Sequence, residues 1–379
     1  MVNNNTASEK ILHIDASRLK SGGGVLHLTK LLEHEKYSNF DKIIVYTYRN
    51  SEFEKFKSKK IIIKTHPYIN KNIFYQIFWQ RYLLKKQIPS DDLLFTIDST
   101  SFCKFKNNIV LNQDLIGFQE GSLKFFSLKN RFVSFLKYLV AKNAFKNSIA
   151  NIFTTKYALE EVVKKIGSIK NASVIPHGID SEFLIKKIDY NISESFLKVI
   201  YVSSILDYKN HKYLISALNN LPTKKKIITY FIGGGDLSLI KKLKAMSINS
   251  KGNEFHFSGF LKREVVLNLI RNCDIAVFLS SVECFGITLL EYMRMGMPII
   301  CSNQSSMPET LEGGGLLVNP HDKRSIINAI TNLELNYNQR LSFGQKAFNN
   351  SIKYSWKNTV KQTYSLLDKV YKEANIKNI

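Results

Sequence analysis

The sequence predicts an α/β protein of two Rossmann-like domains, each a parallel sheet with helices on both faces. Three observations lead there. Short apolar runs alternate with amphipathic segments along most of the 379 residues, the rhythm of strands and their covering helices. The length suits two domains, and 44% apolar residues suffice for two cores. The rhythm is punctuated at Pro176-His-Gly-Ile-Asp180 and by a polar stretch from Asn191 to Ser195.

In chain order, the first set of strands is expected at Ile11 to Ile14, Lys42 to Tyr46, Lys60 to Lys64, Leu93 to Ile97, Ile109 to Leu111, Ala150 to Phe153 and Ser173 to Ile175. They make residues 1–180 the N-terminal domain. A second set follows at Val199 to Val202, Ile227 to Ile232, Glu254 to Phe257, Asp274 to Leu279, Pro298 to Cys301 and Gly315 to Val318, placing a C-terminal domain at 181–355. Residues 356–379 remain as a helical segment, with Val360, Tyr364, Leu367 and Val370 at helical spacing.

The formal charge of +23 implies an anionic partner: a phosphorylated substrate, anionic lipid or nucleic acid. From Gly121 to Leu159 there are seven Lys/Arg and no acid. Two basic, aromatic segments, Asn72 to Lys86 and Lys124 to Lys146, carry Ile73, Phe74, Ile77, Phe78 and Leu84, and Phe125, Phe132, Phe135, Leu136 and Leu139. Such helices either cover the core or dock on an anionic membrane. The cysteines Cys103, Cys273, Cys284 and Cys301 show no paired spacing, so reduced thiols in a cytosolic protein are expected. Met1 to Lys10 is polar and no apolar window reaches eighteen residues, which leaves only peripheral membrane association. No helix-turn-helix, zinc or RNA-recognition pattern accompanies the charge, so nucleic acid is not the expected partner.

The segment from Glu283 to Glu291 carries the most chemistry. Two carboxylates flank a glycine turn and a fresh helix start, in a strand-loop-helix-strand context. A helix beginning near Gly286 aims unpaired N–H groups at the loop, which suits a phosphate. Together the carboxylates and the helix end can hold two hydroxyl-bearing parts of one ligand with a diphosphate between them. A nucleotide-sugar has that shape. Two solvated glutamates beside an ordinary helix would leave the same local sequence. Ser21-Gly22-Gly23-Gly24, between the first strand and the helix-patterned Val25 to Leu32, lets backbone approach a ligand and present N–H groups. It serves a tight turn equally well, and it is not the dinucleotide fingerprint, because His27 stands where a third glycine is needed.

The Glu-x7-Glu segment resembles the motif of retaining glycosyltransferases of family 4, enzymes with the two-domain GT-B fold, and among them bacterial polysaccharide mannosyltransferases. The resemblance implies two domains facing across a cleft and a last helix crossing back to the first. By position Glu283 would meet the transferred sugar and Glu291 the nucleotide ribose, with Phe285, Gly286, Ile287 and Thr288 between them at the donor. Tyr201-Val-Ser-Ser-Ile-Leu-Asp-Tyr-Lys209-Asn-His211 is similar to the segment whose Arg and Lys grip the diphosphate. Lys209 fits the lysine, whereas Ser204 takes the arginine's place. Phe231-Ile-Gly-Gly-Gly-Asp236, with Gly234, and Phe257-Ser-Gly-Phe260 resemble stretches bordering the nucleotide. In Asn112-Gln113-Asp114 a glutamine replaces the family's histidine; it can hydrogen-bond a hydroxyl but accepts no proton. His177 fits a structural linker motif, while His27 and His211 remain open between packing and ligand contact.

The reading is therefore a retaining transferase moving a sugar from a nucleotide-diphosphate donor, GDP-mannose by preference, to a saccharide acceptor. No cofactor or metal is expected, since Lys209 and the helix end supply positive charge and there is no Asp-x-Asp. The acceptor is expected to be polyprenyl-diphosphate-linked, the enzyme cytoplasmic and peripheral on the inner face of a bacterial membrane, and the pathway surface polysaccharide such as lipopolysaccharide or capsule. The alternatives are a sugar-nucleotide epimerase or phosphorylase of the same fold, and a basic nucleic-acid-binding protein.

Overall fold

The computed structural model describes residues 9–20, 22–179, 189–248 and 252–376. Ser21, Asp180 and the polar residues before Glu9, each used in the sequence reading, lie outside this set, as does the expected boundary at 180/181. The chain forms two compact units. One comprises the chain up to Phe118, Phe132–Gly178 and the chain from Trp356; the other comprises Gln119–Arg131 and Ile179–Ser355.

The first unit holds a seven-stranded parallel sheet of β1 (Ile11–Asp15), β2 (Lys42–Tyr46), β3 (Ile61–Lys64), β4 (Leu93–Thr96), β5 (Asn108–Leu111), β6 (Ala150–Phe153) and β7 (Ala172–Val174), in the order β3-β2-β1-β4-β5-β6-β7. All residues of β4, β5 and β6 are buried. A parallel strand covered on both faces needs no polar alternation, which is why these strands read as unbroken apolar runs. Between the strands run α1 (Gly23–Glu33), α2 (Ile73–Phe78), α3 (Leu128–Asn147) and α4 (Lys156–Ile166). Thr155 caps α4, its Oγ1 accepting from the Ala158 N–H at 3.1 Å, a bond that contributes about 1 kcal/mol.

The last helix of the chain, α12 (Trp356–Ile376), belongs to this unit. Its Val360, Tyr364, Leu367 and Val370 are buried in the same core as Leu28, Leu31 and Leu32, each contributing about 1.5–3 kcal/mol through removal from water. The Tyr364 hydroxyl donates to the Leu31 carbonyl at 2.9 Å, and Lys10 pairs with Asp368.

The second unit repeats the plan with β8 (Phe196–Val202), β9 (Lys226–Ile232), β10 (Glu254–Phe257), β11 (Ile275–Phe278), β12 (Ile299–Ser302) and β13 (Leu316–Val318), ordered β10-β9-β8-β11-β12-β13. Around them lie α5 (His211–Leu218), α6 (Leu237–Ile248), α7 (Arg263–Arg271), α8 (Ile287–Arg294), α9 (Met307–Leu311), α10 (Lys323–Leu335) and α11 (Tyr337–Ser351).

The two basic, aromatic segments differ from continuous helices with inward apolar faces. In the first, α2 widens into a π-turn at Trp79–Leu83 and tightens into a 3-10 turn at Leu84–Gln87. Gln76, Trp79, Gln80 and Leu84 face inward, leaving Ile73, Phe74 and Phe78 exposed. In the second, a 3-10 turn at Ser122–Phe125 ends at an extended Phe126, and α3 starts afresh at Leu128. The inward positions of α3 are Ser134, Ala141 and Phe145, while Leu128 is 81% and Phe132 63% exposed.

Candidate functional site

In the second unit the strand order, written as 3-2-1-4-5-6 within the sheet, reverses direction between β8 and β11. Open parallel sheets bind ligands beyond the carboxyl ends of their strands at that point. Lys209 lies in the connection after β8 and Glu283 in the connection after β11, so the topology itself brings them together.

Lys209 ends a 3-10 turn at Asp207–Lys209. Asn210 follows in the left-handed region, at φ 61°. Its Nδ2 donates to the carbonyls of Leu279 at 2.7 Å and Tyr208 at 3.1 Å, and to Ser281 Oγ at 2.8 Å. The Tyr201 hydroxyl donates to the Lys209 carbonyl at 2.7 Å. Lys209 is therefore held by its backbone, while its buried ammonium pairs with Glu283 Oε1. Glu283 is held likewise: Ser305 Oγ lies 2.8 Å from both its N–H and its carbonyl, and Ser306 Oγ donates to that carbonyl at 2.9 Å.

Three residues on, Gly286 stands at φ 82°, and a Cβ there would lie 2.8 Å from Met307 Cε. Glycine is thus required twice over, by backbone angle and by space. It starts α8, and no side chain caps that end. Leu289, Leu290, Tyr292, Met293 and Arg294 are buried, so the helix offers solvent a half-buried stripe of Ile287, Thr288 and Glu291. Phe285 is buried and packs edge-on to Tyr354 at 5.6 Å. The uncapped N-terminus and the lysine ammonium are both positive, and two carboxylates flank them. Such a set can hold an anionic group between hydroxyl-bearing neighbours.

Ser204, Gly234 and Phe260 also come together. The Ile205 N–H donates to the Gly234 carbonyl at 2.8 Å. A Cβ at Gly233 would lie 3.3 Å from Ser204 N, and one at Gly234 would strike the Phe260 ring, which nonetheless stays 84% exposed.

The remaining candidates lie in the first unit. Gly22, at φ 84°, precedes α1 without a side-chain cap, and Gly23 is the helix's first residue. A Cβ at Gly24 would lie 2.7 Å from Leu19 Cδ1 and 3.8 Å from Gln113 Cδ, so the glycine loop and Gln113 are neighbours. The buried Gln113 Nε2 has no hydrogen-bond partner in the structure. Asp114 Oδ1 accepts from the Ile116 N–H at 2.7 Å, which occupies one of its oxygens in shaping the turn.

Residues 182–350, spanning nearly all these second-unit features, match the family described as Glycosyl transferases group 1. Over those residues the chain is a group 1 glycosyltransferase. An uncharacterized glycosyltransferase of Methanocaldococcus jannaschii is 27% identical over 370 residues, covering 93% of this chain and 95% of its own. The serotype-specific mannosyltransferase WbdA of Escherichia coli is 29% identical over 175 residues, 45% of this chain and 21% of that protein. Among solved structures, sucrose-phosphate synthase of Thermosynechococcus elongatus superimposes with a TM-score of 0.74 at 17% identity, over 96% of this chain and all of that one. The shared fold is GT-B.

Three buried histidines of this glycosyltransferase, His27, His177 and His211, pack against aromatic rings. His211 stacks on Tyr201 at 4.6 Å with its Nε2 3.2 Å from Ser203 Oγ. His177 packs against Trp356 at 5.5 Å and His27 at 5.4 Å. Burial holds His177 down to about 4 and, with the Lys209 charge adding to it, His211 down to about 3. Below the ordinary value of 6.5 the unfolded chain binds protons that the folded one refuses, so stability falls as pH drops. Urea unfolding is expected to show a midpoint declining between pH 6.5 and about 4, by up to about 1.4 kcal/mol per pH unit for each histidine. His177→Asn should remove one share of that slope; an unchanged slope contradicts the assignment.

Sequence reasoning missed Ser305, Asn210 and Gln119. Asn210 was visible inside the Lys209-Asn-His211 segment. Ser305 and Gln119 carry no local signal, because they act across 22 and 162 residues of chain respectively.

Proposed function

We propose that the glycosyltransferase transfers a sugar with retention from a nucleotide-diphosphate donor to a saccharide acceptor, with GDP-mannose the first donor to test. The observation that carries this reading is the pairing of Lys209 with Glu283 at the switch point of the second sheet, beside the uncapped α8 and the outward Glu291. Lys209 and the α8 N–H groups would neutralise the leaving diphosphate. Glu291 would accept from a ribose hydroxyl and Glu283 from a sugar hydroxyl. The bond from the anomeric carbon to the phosphate oxygen breaks with its electron pair on the diphosphate. The acceptor oxygen bonds to that carbon on the same face, and its proton passes to the departing phosphate oxygen. No side-chain base is then needed, consistent with glutamine at 113. The protein's part is orientation and charge stabilisation.

Mannose is favoured by the similarity to a mannosyltransferase over 175 residues. A lipid-diphosphate-linked acceptor at the inner face of a bacterial membrane, in surface polysaccharide synthesis, follows from the basic, aromatic surface of α3. No described helix is long and apolar enough to cross a membrane, so the association would be peripheral.

Thermal unfolding with a panel of nucleotide-sugars tests the donor. At a hundredfold excess over Kd the matching donor adds about 2.7 kcal/mol of stability. A panel in which none of the nucleotide-sugars raises the midpoint removes the reading. Turnover is further expected to survive chelation, because lysine and helix end meet the diphosphate charge. Loss of turnover in EDTA with recovery on adding magnesium or manganese contradicts that part.

A further inference from the structure

The segment Gln119–Arg131 comes from the first half of the sequence yet packs as part of the second unit. At its start, the Gln119 side chain uses both ends of its amide. Nε2 donates to the Ser281 carbonyl at 2.7 Å, and Oε1 accepts from Ser305 Oγ at 2.8 Å. Ser281 stands two residues before Glu283, and Ser305 grips the Glu283 backbone. Ser305 Oγ has one proton and two acceptors in reach, the Glu283 carbonyl and Gln119 Oε1. Ser306 supplies that carbonyl independently, which leaves the Ser305 proton for Gln119. Ser305 sits at φ 60°, a conformation a non-glycine residue keeps only where its surroundings impose it.

The same segment also reaches the lysine side. The Phe126 ring lies 6.1 Å from that of Tyr208, the residue before Lys209. Phe125 stacks on His321 at 5.9 Å, whose Nε2 is 3.3 Å from Ser281 Oγ.

We propose that Gln119 is a positioning residue for Glu283, clasping its loop from both sides so that the carboxylate meets the transferred sugar in register. This rests on the donor reading above. One hydrogen bond goes to the Glu283 loop and the other to the serine that grips its backbone, and neither goes to α8, so the effect belongs to the sugar end of the donor and not to the diphosphate grip. A glutamine that merely covers the surface would influence neither.

Gln119→Met keeps the length and removes both hydrogen bonds; Gln119→Glu keeps the acceptor and loses the donor. Two measurements decide. The first is amide hydrogen exchange of residues 281–286 in the unliganded protein, where Gln119→Met is expected to accelerate exchange tenfold or more, Gln119→Glu to an intermediate extent, and β9 not at all. The second is calorimetric titration with GDP, UDP, GDP-mannose and UDP-glucose, joined to a steady-state assay of whichever nucleotide-sugar the protein turns over. Nucleoside diphosphate affinity should stay within twofold, while the variant's turnover of the bound nucleotide-sugar drops at least tenfold with little change in its KM. Unaltered exchange at 281–286, or equal loss of affinity for diphosphate and nucleotide-sugar, overturns the proposal. A wild-type protein that binds none of the four probes removes the donor reading instead, and the exchange arm then decides Gln119 by itself.

Discussion

Glu283→Gln is expected to lower sugar transfer by two to three orders of magnitude and at the same time to leave nucleoside diphosphate binding as tight or tighter. The first part follows if Glu283 acts on charge developing at the sugar, where removal of one preorganised group typically lowers turnover by about 10² to 10³. The second follows from the ion pair. The Lys209 ammonium pairs with Glu283, with both side chains mostly buried, so a diphosphate must compete for it. A neutral amide in place of the carboxylate would be a weaker competitor. Lys209→Ala and Glu291→Gln should act oppositely and weaken diphosphate binding, since a hydrogen bond to a charged group contributes about 1.5–3 kcal/mol, or about ten- to a hundredfold in affinity. Lys209→Ala also strands a half-buried Glu283, so its melting temperature should be measured beside its affinity. Calorimetry with GDP and UDP on the three variants separates these outcomes. Unchanged affinity in both Lys209→Ala and Glu291→Gln would dismantle the site, and weaker diphosphate binding in Glu283→Gln would contradict the competition.

Replacing Lys124, Lys129, Arg131 and Lys137 by Gln is expected to release the protein from anionic vesicles almost completely. Each basic residue near such a surface contributes about 1 kcal/mol, so four together lower the partition coefficient on the order of a thousandfold at low salt. All four are exposed, beside the exposed Leu128, Phe132, Phe135 and Leu136, so apolar insertion and charge attraction would act on the same stretch of chain. Binding of the native protein should need anionic lipid and fade as salt rises, because the surface potential decays over about 8 Å at physiological ionic strength. Turnover of a soluble acceptor should persist in the variant. A native protein that does not sediment with anionic vesicles at low salt makes the α3 surface merely solvated and removes the main support for a lipid-linked acceptor.

These two experiments draw on different kinds of legibility. The inner strands were visible in the sequence because parallel strands buried on both faces concentrate apolar residues into short unbroken runs, and α12 announced itself by the helical spacing of Val360, Tyr364, Leu367 and Val370. Glu283, Gly286, Glu291 and Lys209 were legible because a strand-end loop and a helix start are local, and their spacing survives in the chain. The direction faced by the apolar residues of the two basic segments was not legible. Periodicity identifies a stripe, but which stripe is buried depends on what lies against it, and here Ser134, Ala141 and Phe145 won the inward side of α3.

The sequence by itself thus determined two doubly wound sheets, a phosphate-suited helix start between two carboxylates, and a lysine placed to join them. Only the tertiary structure decided that Lys209 and Glu283 hold each other, that Ser305 in its left-handed conformation fixes the Glu283 backbone, and that Gln119 is built into the same loop from the far half of the chain. The physical reason is distance along the chain. Turns, caps and strand runs arise from neighbours a few residues apart, whereas contacts spanning 74, 162 and 186 residues exist only once the sheet has ordered its strands and brought the ends of β8 and β11 side by side.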